Sequence, residues 1–121
     1  MYREQIGSAP GRFRVEVRTM GASEVLTLVG ELDHHTAELL RVPLERALDV
    51  GRSRLVLDCS RLEFCDSSGL NVLLVARLRA EAAGGGIHLA RMRPVVARVF
   101  EITGAEAVFT VHDSLESALP G

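Results

Sequence analysis

The chain has no tryptophan, one tyrosine and only four phenylalanines, so it offers few aromatic faces on which nucleobases can stack. An excess of one charge is missing too. Fourteen Lys and Arg stand against sixteen Asp and Glu, a net charge of −2, and without a large positive field direct binding of nucleic acid is not expected. No apolar run reaches the roughly 18 residues of a membrane span, and the N-terminus shows no charged-then-apolar signal pattern. A cytoplasmic protein with no membrane partner is expected. Cysteine is sparse. Cys59 and Cys65 stand six apart with no further Cys or His at ligand spacing, which points to two reduced thiols packed as small hydrophobes rather than to a metal site.

What is present suffices for one domain with one core: 121 residues, 47% of them hydrophobic. The stretch Asp66-Ser67-Ser68-Gly69-Leu70 stands between two apolar segments. Before it, Leu55-Val56-Leu57 has the unbroken apolarity of a central strand covered on both faces. After it, the run from Leu70 to Ala83 holds no Pro or Gly and is rich in Leu and Ala, so it is a helix. The polar turn is therefore a helix N-terminus. Asp and Ser cap the unpartnered backbone N–H groups there, and the dipole favours an anion. A hydroxyl in that place is suited to carry a phosphate.

Residues 1–11 mix charge, Ser, Pro and Gly without periodicity and are expected to form a flexible N-terminal tail, leaving 12–121 as a single domain. Phe13, Val15 and Val17 alternate with Arg12, Arg14, Glu16 and Arg18, the period of an edge strand with one wet face. Gly21-Ala22-Ser23 supplies a turn, and Val25 to Val29 pairs back as a hairpin. Gly30 ends that strand. Glu31-Leu32-Asp33-His34-His35-Thr36 then leads into a helix over about 36–50, capped by Asp33 or Thr36, with Leu39, Leu40, Leu44, Ala47 and Leu48 on one side. Pro43 predicts a kink or a break at Val42-Pro43. Ser60 to Cys65 is expected as a connection carrying Leu62 and Phe64 inward.

Gly84-Gly85-Gly86 follows a helix and precedes a strand, so it is a helix stop rather than a phosphate loop. Ile87 to Ala90 reads as a strand, Pro94 to Thr103 as a helix with Pro at its start and Gly104 at its stop, and Val108 to Val111 as the last strand. Asp113-Ser114 caps a short helix through Leu119, with Glu116 placed for a capping box if Asp113 is the cap. Helices that separate single strands imply parallel crossovers. The expected class is α/β: a mostly parallel central sheet with an N-terminal antiparallel hairpin strand and about four helices.

Several groupings imitate chemical sites. Asp33-His34-His35 offers two imidazoles and a carboxylate, but neighbours at a helix start point in different directions, and a polar helix entrance explains them without a metal. Ser67 or Ser68 with a histidine and an aspartate imitates a hydrolase triad, yet the Gly-x-Ser-x-Gly elbow is missing and capping explains the serines. No cofactor and no enzymatic activity are expected. Arg91, Arg93 and Arg98 cluster around Pro94 as a solvated helix face. On a helical wheel Ser67, Leu70, Leu74 and Leu78 fall opposite Val72, Leu73, Ala76 and Ala80; the small-residue side suits close packing on a sheet, which leaves the leucine side either as a docking surface or, in a helix this apolar, buried in the core as well.

Gly30-Glu31-Leu32-Asp33-His34-His35-Thr36-Ala37-Glu38, then Phe64-Cys65-Asp66-Ser67-Ser68-Gly69-Leu70, then Arg98-Val99-Phe100-Glu101-Ile102-Thr103-Gly104 together resemble the anti-sigma factor antagonists of the sporulation and general-stress type, members of the STAS domain family. The resemblance runs from the second expected strand nearly to the C-terminus and implies the STAS fold for 12–121. It implies partner switching as well: the unphosphorylated antagonist binds an anti-sigma factor with serine kinase activity and frees a sigma factor, phosphorylation of Ser67 ends binding, and a serine phosphatase resets the cycle. Asp33, Asp66, Ser68, Gly69 and Leu70 are implied at the partner-binding surface. Asn71, where many members have Gly, and Pro43 depart from the pattern and bear on which kinase fits. The alternative within the family is a regulatory or structural subunit of a transporter or of a stress-sensing assembly. On either function Cys59 and Cys65 are expected to be free thiols. A thiol titration in denaturant without reductant should count two per chain, and a count of zero would contradict this.

Overall fold

Helices between single strands require crossovers, and the chain meets that requirement with one six-stranded sheet laid down in sequence order. The computed structural model describes residues 3–9 and 12–120, with side chains from Arg12 to Pro120. Its strands are β1 (Arg3–Ala9), β2 (Phe13–Met20), β3 (Ser23–Leu32), β4 (Arg54–Cys65), β5 (Gly86–Ala90) and β6 (Thr110–His112). β1 and β3 each run antiparallel to β2, and β3 through β6 run parallel. The parallel neighbours are joined by α1 (Ala37–Asp49), α2 (Ser67–Ala82) and α3 (Pro94–Thr103), and α4 (Leu115–Ala118) closes the order.

Right-handed crossovers taken one after another in the same direction all fall on the same side of a sheet. Leu40 and Leu44 of α1, Leu73 and Ala80 of α2 and Val96 and Phe100 of α3 accordingly share one core with Val15, Leu26, Leu28, Leu55, Leu57 and Leu89. The alternate residues Val25, Val56 and Ala90 face the other way and pack with Ala118 of α4. β4 is thus covered on both faces, as its apolar run requires. No helix among the described residues is long and apolar enough to cross a membrane.

Several expectations need correction. Residues 3–9, assigned to a flexible tail, form β1 and pair with β2; residues 1, 2, 10 and 11 lie outside the described residues. Because β1 covers it, β2 is not an edge strand, although Phe13, Val15 and Val17 are buried as their alternation required. The β2–β3 turn is Gly21-Ala22, closed by the Met20–Ser23 pair, with Gly21 at a φ of +61° that suits a residue without Cβ. The break at Val42-Pro43 is absent. The helix α1 is continuous, and Pro43 is buried with Leu40, Leu44 and Ala47 at helical spacing, so its ring joins the apolar stripe and offsets the lost backbone hydrogen bond. The last strand starts at Thr110 rather than Val108, and the cap of α4 is Ser114, which accepts from Ser117 N at 3.1 Å, rather than Asp113. By contrast α3 has the expected ends, with Gly104 left-handed at φ +78°.

The expected connection 60–65 is instead the second half of β4. Leu62 points inward, but Phe64 is exposed. Two of the three clustered arginines hold the middle of this strand. Arg91 Nη2 donates to Oδ2 of the buried Asp58 at 2.6 Å, and Arg93 Nε donates to Ser60 O at 2.9 Å. Ser60 N donates to Asp58 Oδ1 at 3.1 Å. Arg91 takes a φ of +59°, uncommon for a residue with a Cβ.

Burial works to raise the Asp58 pKa, and the hydrogen bonds and charge of Arg91 with those of Ser60 outweigh it, so the carboxyl lies below its ordinary value of 3.8. A depressed folded-state pKa stabilises the fold above the unfolded value, and that contribution is lost as pH falls through the lower folded value. Asp58→Asn is expected to cost about 1–3 kcal/mol at pH 7. In thermal melts the gap to the unmodified chain should close as pH drops below 3.8; a gap independent of pH would exclude the charge as its source.

Candidate functional site: a capped helix start beside the end of β3

Strands β3 and β4 end side by side at Leu32 and Cys65, which are partners in the parallel ladder. Asp66 N then donates to Leu32 O at 3.1 Å, tying the start of α2 to the end of β3. Asp66 is extended, at φ −106° and ψ −173°, and its Oδ1 accepts from Ser68 N at 2.9 Å and Gly69 N at 3.2 Å. This is the N-cap expected of an aspartate: one carboxylate oxygen satisfies two otherwise unpartnered donors.

The cap sorts the next four residues. Ser67 is exposed, Ser68 is half-buried, and Gly69 and Leu70 are buried. Gly69 is required by packing. A Cβ there would lie 2.5 Å from Leu32 Cγ and 3.2 Å from Cys65 Sγ, so the helix start sits a methyl group closer to the strands than any other residue permits. Burial raises the Cys65 thiol to about 12, with the neighbouring Asp66 charge adding to it, and raises Cys59 further still. Both thiols are free and buried, with none of the thiolate character of a reactive cysteine.

One residue past Leu32, Asp33 organises the entrance to α1. Its Oδ1 accepts from His35 N at 2.9 Å and Thr36 N at 3.2 Å, and its Oδ2 pairs with Arg12. The buried Thr36 hydroxyl donates to Glu31 O at 2.9 Å and accepts from Asp33 N at 2.9 Å. Thr36 occupies the N-cap position without a side-chain cap bond, so the capping carboxylate is that of Asp33. Desolvation raises the Asp33 pKa, but the His35 amide, the Arg12 charge and the Thr36 hydrogen bonds together hold it below 3.8. Gly30 completes the lock. At φ +104° its Cα faces the Arg12 carbonyl so closely that a Cβ would overlap it, and Glu31 N donates to that carbonyl at 2.6 Å.

The Leu32–Cys65 pairing therefore brings the Asp33 loop and the Asp66-Ser67-Ser68 turn to the same end of the sheet. His34 and His35 are exposed with ring centroids 3.8 Å apart, and no group of three His, Cys, Asp or Glu among the described residues is placed to hold a metal ion. Sequence reasoning missed Arg12, because its pairing with Asp33 spans 21 residues and nothing in the local pattern signals it. On α2, Leu73, Ala76 and Ala80 are buried as the small-residue side required, and Leu70 is buried with them; Leu74 is half-buried and Leu78 is 62% exposed.

The family model of the STAS domain matches residues 14–118, and the chain belongs to that family. Within it, the chain is 31% identical over 96 residues to the anti-sigma F factor antagonist of Paenibacillus polymyxa, covering 78% of this chain and 82% of that one. Among solved structures, an anti-sigma factor antagonist from Mycobacterium paratuberculosis aligns with a TM-score of 0.82 at 26% identity, over 92% of this chain and 94% of that one. The anti-sigma factor antagonist SpoIIAA in its unphosphorylated form aligns with a TM-score of 0.75 at 29% identity, over 86% and 91%. Its phosphorylated form also aligns, with a TM-score of 0.67.

The cap is the local determinant of the turn. Asp66→Ala should destabilise the fold by about 1 kcal/mol, while Asp66→Asn should retain most of the cap. Urea unfolding of both variants measures this, and equal losses would assign the effect to charge rather than to the cap hydrogen bonds.

Proposed function

We propose that the chain is an anti-sigma factor antagonist that acts by partner switching, as a binding protein rather than an enzyme. Unphosphorylated, it binds an anti-sigma factor that is also a serine kinase, and so frees a sigma factor. Phosphorylation of Ser67 ends that binding, and a serine phosphatase restores it. The observation that carries this reading is the exposed Ser67 hydroxyl at the first position of α2, next to a cap that is already complete. The names of the relatives and the existence of a phosphorylated SpoIIAA support it.

The energetics favour a switch in binding over a change of fold. Phosphate adds about −1.5 to −2 charge, which the dipole of a helix start tolerates even though Ser68 N and Gly69 N are already held by Asp66. At the same place in a desolvated contact that charge, beside Asp66, repels acidic partner groups and loses its hydration. Gly69 and Leu70, being buried, contribute to the partner surface by holding the turn, and Asp66 and Ser68 by shaping it. Asp33 fixes the adjoining loop at the same surface.

Ser67→Ala is expected to abolish phosphorylation and to bind the kinase nearly as the unmodified chain does. Ser67→Asp should fold normally and bind more weakly by about 1–3 kcal/mol. Ser68→Ala should still be phosphorylated. Phosphopeptide mapping together with calorimetric titration of the three variants against the kinase tests the assignment. Phosphate on Ser68, or undiminished binding by Ser67→Asp, would overturn it.

A further inference from the structure

Strand β4 meets β3 with two irregularities. Thr27 pairs with Asp58 but Val29 with Arg61, and Gly30 pairs with Leu62 but Glu31 with Phe64, so β4 holds one extra residue at each place. Each extra residue reverses which side of the sheet the following residues face. The first brings Leu62 to the side of Leu55, Leu57 and Cys59. The second brings Cys65 there in place of Phe64: Leu62 and Cys65 are each 1% exposed, and Phe64 between them is 44% exposed. In a regular strand Phe64 would share the side of Leu62, two residues before it. The other three phenylalanines, Phe13, Phe100 and Phe109, are all buried.

We propose that Phe64 is the apolar anchor by which the chain docks the anti-sigma factor, its ring entering an apolar pocket of that partner beside Ser67. The proposal rests on the partner-switching reading and adds a residue of the docking surface to it. Single exposed apolar side chains are ordinary, and Val75, Leu78, Val95 and Ile102 stand outward on regular helices. Phe64 differs in that its exposure follows from a departure from regular structure, and bulges near functional sites re-aim side chains in this way. Its place in the fold supplies the occupant. It lies opposite the exposed Glu31 in the ladder and next to the Leu32–Cys65 pair that seats Asp66 and Ser67. Phe64 faces the side of the sheet away from α2, at the same end as Ser67 and three residues before it, so a partner that covers Ser67 and wraps over this end of the sheet meets both. An aromatic ring filling a partner pocket excludes water from its surroundings, and a phosphate on the adjoining turn would then have to lose its hydration for the contact to form.

The test is calorimetric titration of the kinase that phosphorylates Ser67 with the unmodified chain, Phe64→Ala, Phe64→Leu and Ser67→Asp, with thermal melts and sedimentation of each. Phe64→Ala should weaken binding by about ten- to a hundredfold. Phe64→Leu should fall between it and the unmodified chain, and both should melt within a few degrees of it. Unchanged affinity of Phe64→Ala beside weakened Ser67→Asp would overturn the anchor and leave the switch standing. If the unmodified chain binds no such kinase, the switch itself fails. A loss of self-association in Phe64→Ala without loss of kinase affinity would assign the ring to a second copy of the chain and overturn the proposal. Melting lowered by more than about 10 °C would assign it to stability, with the same result.

Discussion

The contact between Leu32 and the backbone at Gly69 fixes how the two loops of the candidate site stand to one another. Leu32 is fully buried, its carbonyl accepts from Asp66 N, and its side chain occupies the space that any Cβ at position 69 would need. The start of α2 cannot move toward β3 without overlap, nor away from it without opening a void in a close-packed interior. Asp33 follows Leu32 directly, and Ser67 precedes Gly69 by two residues. One van der Waals contact and one backbone hydrogen bond thus hold two loops, from sequence positions more than thirty apart, in a constant relation.

The carboxylates of these loops are engaged internally. Asp66 accepts from two amides of its own helix, and Asp33 from two amides and Arg12. Acceptors already satisfied in this way give the turns their shape and offer little to a partner. The exposed Ser67 hydroxyl stands directly beside the satisfied carboxylate of Asp66. A phosphate placed on it would find the nearest helix amides already held by Asp66, so its charge would be expressed outward, toward whatever covers the turn.

Local signals were legible where local physics decides. Asp66 read as a cap, Pro94 at the start and Gly104 at the end of α3, and the apolar run of β4 as a central strand, because each depends on residues within one or two turns of itself. What failed depended on distant partners. The polar mixture of residues 3–9 has no periodicity of its own and becomes a strand by pairing with β2. Pro43 is a helix breaker by propensity, but its ring is buried in the core stripe of α1. The Arg12–Asp33 pair and the clamp of Arg91 and Arg93 on β4 join residues too far apart for spacing to reveal. Local capping signals located the Ser67 turn and family resemblance implied a role for it, while the direction of each side chain around it came from the packing.

Phe64 shows why that distinction matters. Period-two alternation from Leu62 predicts an inward Phe64, and the prediction fails because β4 must cover more residues than β3 between the same two ends. The strand has to deliver Asp66 to the carbonyl of Leu32, and its extra length is absorbed as bulges rather than as a loop. Parity then requires that one residue of the sequence Leu62-Glu63-Phe64-Cys65 lose its place in the core. Cys65 takes the inward position, with its sulfur 3.2 Å from where a Cβ on Gly69 would stand. The close approach that seats the helix start and the register shift that turns Phe64 outward thus meet at one pair of residues, Leu32 and Cys65, where the two strands end.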